Sequence, residues 1–317
     1  MKKKNIILVI LVILVILVLL ATQNIINSRT ANNEPTRIYL PEGTTYEALC
    51  DSVHADGTFR LMARTLGLDK RVRPGSYVVE PHMKTLALVR KLRNGQQDPI
   101  RLTIGKFRTP QQLNDYLNQK LMHNDFNVTL DSFYIIRPNT YEFYWTVTPE
   151  KFMQRMEREY WNFWGVIGSE KGVKRSERTN DEIIILASIV EEETNNNGEK
   201  PLIASVYLNR LERGIPLQAD PTVKYAVGDF TLRRILNKHL AVESPFNTYL
   251  HTGLPPAPIC LPSYASVDAV LNAPETNYLY FCASDKMDGT HRFATTLAEH
   301  NRNAAAFHRA LSARGIW

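Results

Sequence analysis

The sequence predicts an α+β protein in three parts: a single N-terminal transmembrane helix, a small α+β unit and a larger α+β unit. Three observations carry this. Fifteen consecutive Ile, Leu or Val residues run from Ile6 to Leu20, directly after Lys2, Lys3 and Lys4. Short strand-like and helix-like patterns alternate through residues 37–104. From Pro110 onward longer helical periodicities dominate, broken by an aromatic β-leaning stretch and a Gly/Pro-rich loop. With 317 residues the chain has room for about two globular domains beside the apolar run. The expected divisions are 1–26 as cytoplasmic tip and anchor, 27–36 as tether, 37–104 as the small unit and 105–317 as the large one.

The anchor follows from hydropathy. No charge interrupts the chain between Lys4 and Arg29. At 1.5 Å per residue, sixteen apolar residues reach about 24 Å, and extension through Thr22–Ile26 closes the gap to a core of about 30 Å. A cleaved signal peptide is the rival reading, but Leu19-Leu20-Ala21-Thr22-Gln23 offers no convincing small-x-small site. The three lysines favour a cytoplasmic N-terminus, with the apolar run against membrane lipid and everything after residue 26 outside the cytoplasm. They also supply half of the net charge of +6. The remaining excess is weak evidence for an anionic partner, and no nucleic-acid module is recognisable. Hydrophobic residues at 44% and charged ones at 22% exclude a disordered or fibrous chain. Three widely spaced cysteines, Cys50, Cys260 and Cys282, exclude a disulfide scaffold and a zinc ribbon, and leave open whether Cys260 and Cys282 pair.

In the small unit, Arg37–Leu40 reads as a strand and Pro41–Thr44 as a turn. Thr44 or Thr45 caps a helix through Leu49–Val53, and a second helix covers Thr58–Leu66. Pro74-Gly75 turns into a strand at Ser76–Val79. Thr85 caps a helix carrying Leu86, Val89 and Leu92, stopped by Asn94-Gly95, before a strand at Ile100–Ile104. The large unit begins with a helix from Pro110. Residues 136–148 lean towards β structure, and Thr148-Pro149 starts a helix through about Trp164. Residues 167–180 read as an exposed loop.

Chemistry concentrates in residues 181–198, DEIIILASIVEEETNNNG. Asn180 or Asp181 caps a helix that ends at Asn195–Gly198. On a wheel of 100° per residue from Ile183, the apolar residues centre near ~300°, Glu191 falls at ~80°, Glu192 at ~180° and Glu193 at ~280°. Glu193 is therefore aimed at the interior while its two neighbours lie off the apolar face. Desolvation and the negative end of the helix both raise the pKa of such a carboxyl, which suits a general acid. The next helix, 201–213, starts at Pro201 and ends at Gly214. Residues 217–222 then read as an extended stretch in which Asp220 is a second carboxylate. Residues 247–256 form a Gly/Pro-rich loop. His239, His251, His291, His300 and His308 lack ligand spacing, so no metal site is expected. No GxSxG, SxxK, Walker or Rossmann pattern occurs.

Several segments in series, LASIVEEET (186–194), PLIASVYLNRL (201–211), LQADPTVKYA (217–226), FNTYLHTGLPPAPI (246–259), NYLYF (277–281) and HRFATTLAEHN (291–301), resemble the endolytic murein transglycosylase (YceG-like) family. RPGSYVV (73–79) resembles its small LysM-like domain, and RPNTYEF (137–143) a further element. The resemblance implies a membrane-anchored lyase without cofactor. Such an enzyme cuts the β-1,4 MurNAc–GlcNAc bond of peptidoglycan glycan strands and leaves 1,6-anhydro ends beside peptidoglycan synthases (penicillin-binding proteins), terminating strand growth. It maps the acid/base glutamate onto Glu193, the residue the wheel selects. Gln218, Asp220, Asn247 and Tyr249 are expected around the glycan cleft, with Glu191 and His291 in support. Departures are Glu192 where the family usually has Lys, Ala219 for a hydroxyl residue, Tyr225-Ala226 for Tyr-Gly and Asn139 for a carboxylate. A lysozyme-like muramidase using Asp220, and a non-catalytic glycan-binding scaffold, are the rivals.

Overall fold

The computed structural model describes residues 2–169, 178–232 and 234–315. The elements in chain order are helix α1 (Lys2–Ile26), strand β1 (Thr36–Leu40), α2 (Tyr46–Ser52), α3 (Gly57–Thr65), β2 (Gly75–Val79), α4 (Thr85–Asn94) and β3 (Ile100–Ile104). There follow α5 (Pro110–Lys120), α6 (Leu130–Phe133), β4 (Asn139–Phe143), α7 (Pro149–Ser169) and α8 (Asn180–Glu193). The chain ends with α9 (Lys200–Glu212), α10 (Asp220–Val227), α11 (Asn237–Leu240), α12 (Tyr264–Leu271), β5 (Tyr280–Ala283), β6 (His291–Ala294) and α13 (Leu297–Ala313). The strands form three two-stranded sheets, β1–β2, β3–β4 and β5–β6.

Within α1, the 21 residues Ile6–Ile26 have a mean hydropathy of 3.3, and Ile6–Leu20 are all exposed. At 1.5 Å per residue that length is about 31 Å, enough to cross a bilayer core. An apolar helix whose Ile6–Leu20 stretch is exposed is compatible with a single-pass membrane anchor.

The chain divides into two compact units. One comprises 1–102 with 120–124 and 141–148; the other comprises 103–119, 125–140 and 149–317. The first change of unit lies between Leu102 and Thr103, and two short later segments, 120–124 and 141–148, belong to the first unit.

In the first unit β1 and β2 pair antiparallel, Thr36 opposite Val79 and Leu40 opposite Gly75. Their inward residues Ile38, Leu40, Tyr77 and Val79 close on Leu49, Phe59, Leu88 and Leu92 from the helices. Capping follows sequence closely: the Thr45 hydroxyl accepts from Ala48 N–H and the Asp56 carboxylate from Phe59 N–H. Gly95 ends α4 at φ 66, where a Cβ would meet Arg73 Cδ at 2.7 Å. One difference is that Lys84, not Thr85, occupies the N-cap of α4. Residues 27–36, expected as a tether, are hydrogen-bonded to this unit. Thr30 N–H donates to Met83 O at 2.8 Å, Thr85 N–H to Ser28 O at 3.0 Å and His82 N–H to Asn32 O at 3.2 Å. Ile25, at the end of α1, packs on the same core.

The second unit is built around α8. Ile183, Ile184, Leu186, Ala187, Ile189 and Val190 form one core with Ile203, Ala204 and Tyr207 of α9, Val267, Val270 and Leu271 of α12, and Tyr160 and Trp164 of α7. Thr179, rather than Asn180 or Asp181, caps α8 through a reciprocal box with Glu182. The helix stops at Glu193, earlier than Asn195–Gly198. Two further expectations change. Of residues 217–222, expected as extended, Asp220, Pro221 and Thr222 open helix α10, because Pro221 suits a first helical turn. Helix α7 continues to Ser169, and the rest of the loop expected at 167–180 falls largely on 170–177, outside the described residues.

Candidate active site

Glu193 is the last residue of α8, and Thr194 after it is extended. A cavity of about 310 Å³ opens beside its carboxyl, lined also by Tyr207 and Arg210 of α9, Gln218, Asp220, Tyr249, Tyr280, Phe281 and His300. Glu193 keeps partial solvent access through this cavity while its carboxylate lies deep among protein atoms. Burial is the main cause that pushes its pKa up to about 7. A hydrogen bond donated by the Tyr207 hydroxyl pulls the other way, and the charges of Asp220 and Glu192 add to the rise. Tyr207 is itself buried, and its phenol is pushed well above its ordinary value by burial and by Glu193, so it stays a donor.

The neighbouring glutamates, which the wheel sets off the apolar face, are both engaged by protein groups. Glu191 accepts from Ser263 and Ser266 hydroxyls and from Lys200 Nζ at 3.0 Å. Burial opposes its ionisation, but these bonds outweigh it and hold the carboxyl below its usual range. Glu192 accepts from Arg108 Nε at 3.1 Å and Nη2 at 3.0 Å, with Lys106 Nζ at 3.3 Å. The flank of α8 that reads as polar is covered by α12 and the segment before it. Even Ser188 is fully buried there and accepts from Ile259 N–H at 3.0 Å.

Gln218, Asp220 and Tyr249 line the cavity with Glu193. Gln218 takes φ 51, a costly backbone state for a non-glycine residue. Its N–H donates to Thr248 O at 3.1 Å and its Oε1 accepts from Arg210 at 3.2 Å. The Tyr249 hydroxyl donates to Asp220 Oδ1 at 2.7 Å; burial, then Asp220, pushes its pKa up.

Asn247, Glu191 and His291 are not brought to the cavity. Asn247 is fully buried, donates to Leu240 O and Val242 O at 2.9 Å each, and accepts from Tyr249 N–H at 3.0 Å. It shapes the loop that presents Tyr249. His291 pairs through Nδ1 with Glu199 at 2.9 Å and sets its ring on Phe281, which lines the cavity. Sequence reading did not single out Tyr207, Arg210 or Tyr280, and gave His300 no role. The signal for two of them was a Tyr and an Arg three residues apart on one face of an otherwise apolar helix. Among the described residues no His, Cys, Asp and Glu cluster is suited to hold a metal ion.

The profile of the YceG-like family matches residues 31–306, spanning both units. The chain belongs to the YceG-like family. An endolytic murein transglycosylase of Bacillus subtilis (strain 168) is 42% identical over 130 residues, covering 41% of this chain and 35% of that protein. One from Streptococcus pneumoniae serotype 2 (strain D39) is 34% identical over 137 residues, covering 42% and 25%. The chain thus aligns with about a third and a quarter of these relatives' lengths. A crystal structure of a YceG-like protein from Listeria monocytogenes shares the fold with a TM-score of 0.53 at 27% identity, covering 86% of this chain and 99% of that one. The YceG-like match takes in every cavity residue named above.

Proposed function

We propose that this YceG-like chain is a membrane-anchored endolytic lytic transglycosylase acting on peptidoglycan glycan strands. The observation that carries the reading is Glu193, a carboxyl whose pKa is raised to about 7, at a cavity sized for sugar. Protonated Glu193 gives its proton to the glycosidic oxygen as the bond from C1 of N-acetylmuramic acid breaks. The resulting carboxylate, steadied by the Tyr207 hydroxyl, takes the proton from the muramic 6-hydroxyl as that oxygen closes on C1. Glu193 ends protonated, no water is consumed, and the product carries a 1,6-anhydro end. Asp220, oriented by Tyr249, supplies negative charge beside the oxocarbenium-like centre. Gln218 orients the sugar, while Asn247, Glu191 and His291 hold the surrounding loops.

The other parts fit this reading. An apolar helix after three lysines supports a cytoplasmic N-terminus, with the cavity on the far side of the inner membrane, next to the wall. The β1–α2–α3–β2 unit with its own core supports a LysM-like glycan-binding role. Action on new strands beside their synthases would end elongation. A muramidase is the second reading, favoured by the presence of Asp220 in the same cavity. Digestion in ¹⁸O-labelled water separates the two. The transglycosylase leaves the new ends unlabelled, whereas label at C1 establishes the muramidase.

A further inference from the structure

Part of the cavity wall is unused by the reaction above: Arg210, Tyr280 and His300. Arg210 is buried, and its Nε donates to Leu279 O at 2.7 Å. Its Nη1 donates to Pro216 O, Leu217 O and Gln218 Oε1 at 3.0, 2.9 and 3.2 Å. Nη2 has no bond among the described residues and is left to the cavity. The guanidinium carbon lies 5.1 Å from the Tyr280 ring centroid, and the same ring lies 5.5 Å from the His300 ring at an interplanar angle of 32°. Both polar groups are thus fixed against one aromatic ring before any ligand arrives.

The His300 ring has no hydrogen bond among the described residues, and its Nδ1 is buried without a partner. Burial and the Arg210 charge both push the imidazole down from its ordinary value, so it is neutral at physiological pH. A neutral imidazole offers one donor and one acceptor, and a guanidinium offers donors alone. A secondary amide matches this pair, since its carbonyl accepts and its N–H donates. A carboxylate leaves the imidazole acceptor empty, and an ammonium meets the Arg210 charge.

We propose that Arg210 and His300 form an acetamido-recognition subsite: Arg210 Nη2 donates to the amide carbonyl and His300 accepts the amide N–H. The cleft then selects N-acetylated over N-deacetylated sugar. The inference rests on the glycan reading of the cavity, and binding separates it from the chemistry. The full-length Glu193→Gln protein in detergent micelles is titrated with N-acetylated and N-deacetylated glycan strands. Binding is expected to favour the acetylated strand by about 10–100-fold, as a site built for an amide rejects a ligand lacking it. Adding His300→Phe, which keeps a ring on Tyr280 and removes the acceptor, should bring the ratio to within a few-fold of unity. Adding His300→Asn, which restores a donor and an acceptor, should recover part of it. Equal binding of the two strands, or a ratio unchanged by His300→Phe with the melting temperature retained, overturns the subsite. Selective binding with no anhydro product from the wild type leaves the subsite standing and removes the lyase reading.

Discussion

Glu191 and Glu193 lie two residues apart at the end of one helix, in pockets of opposite character. The Glu191 pocket supplies donors, two serine hydroxyls and a buried ammonium, and fixes the carboxylate as an ion. The Glu193 pocket supplies one phenol hydroxyl and two negative neighbours, and leaves the carboxyl able to carry a proton near neutral pH. Residue type and helix position are shared, so the difference comes from what neighbouring elements donate. α12 and Lys200 hold Glu191 ionised, whereas Glu193 faces the open cavity.

The largest expected effect is on chemistry. Glu193→Gln should lower strand cleavage by about 10²–10⁴-fold with circular dichroism unchanged, the usual worth of a general acid–base group. Cleavage near the wild-type rate would show that the two pockets do not differ in function. The second effect is on stability. Glu191→Ala strands the Lys200 ammonium, whose side chain is 4% exposed, and should cost about 3–5 kcal/mol in urea unfolding. An unchanged midpoint would break the structural half of the comparison.

The third follows from linkage. Folded Glu193 holds its proton up to about pH 7, whereas the unfolded group releases it near 4.5, so stability from this residue rises as pH falls from 7 towards 4.5 and is lost above 7. Allowing for its partial solvent access, Glu193→Gln should therefore be more stable than wild type by about 2 kcal/mol at pH 8, with the gap closing at pH 5. Thermal unfolding at the two pH values reads this directly. Glu191 has the opposite sign: its contribution is present above the ordinary carboxyl range and fades below it. The smallest effect sharpens the role of the phenol. Tyr207→Phe removes the bond that lowers the Glu193 pKa, so the basic limb of the pH–activity profile should move up by about one unit. A limb that stays in place would show that Tyr207 does not touch the reacting carboxyl.

Local signals in the sequence carried much of this. The strands of the first unit, the Thr45 cap, the α1 run and the inward aim of Glu193 are set by residues within a few positions of each other, and all were legible. The fates of Glu191, Glu192 and Ser188 were not. A wheel knows one apolar face, whereas α8 is enclosed on several sides by segments from residues 106–108, 200–207 and 259–267. The bonds of the tether were illegible for the same reason, because its partners at Glu80–Thr85 lie about 50 residues away. Gln218, Asp220 and Tyr249 were grouped by resemblance and meet at the cavity. Asn247 shared their motif but faces carbonyls inside its own loop, a distinction that only the hydrogen bonds make.

The central claim is that Glu193 alone passes the proton from leaving group to internal nucleophile. Digestion of purified glycan strands by the wild type and by Glu193→Gln, with mass analysis of the new ends, tests it most directly. The account predicts ends lighter than a reducing end by one water from the wild type, and almost none from the variant. Reducing ends from the wild type, or anhydro ends formed equally well by the variant, would contradict it.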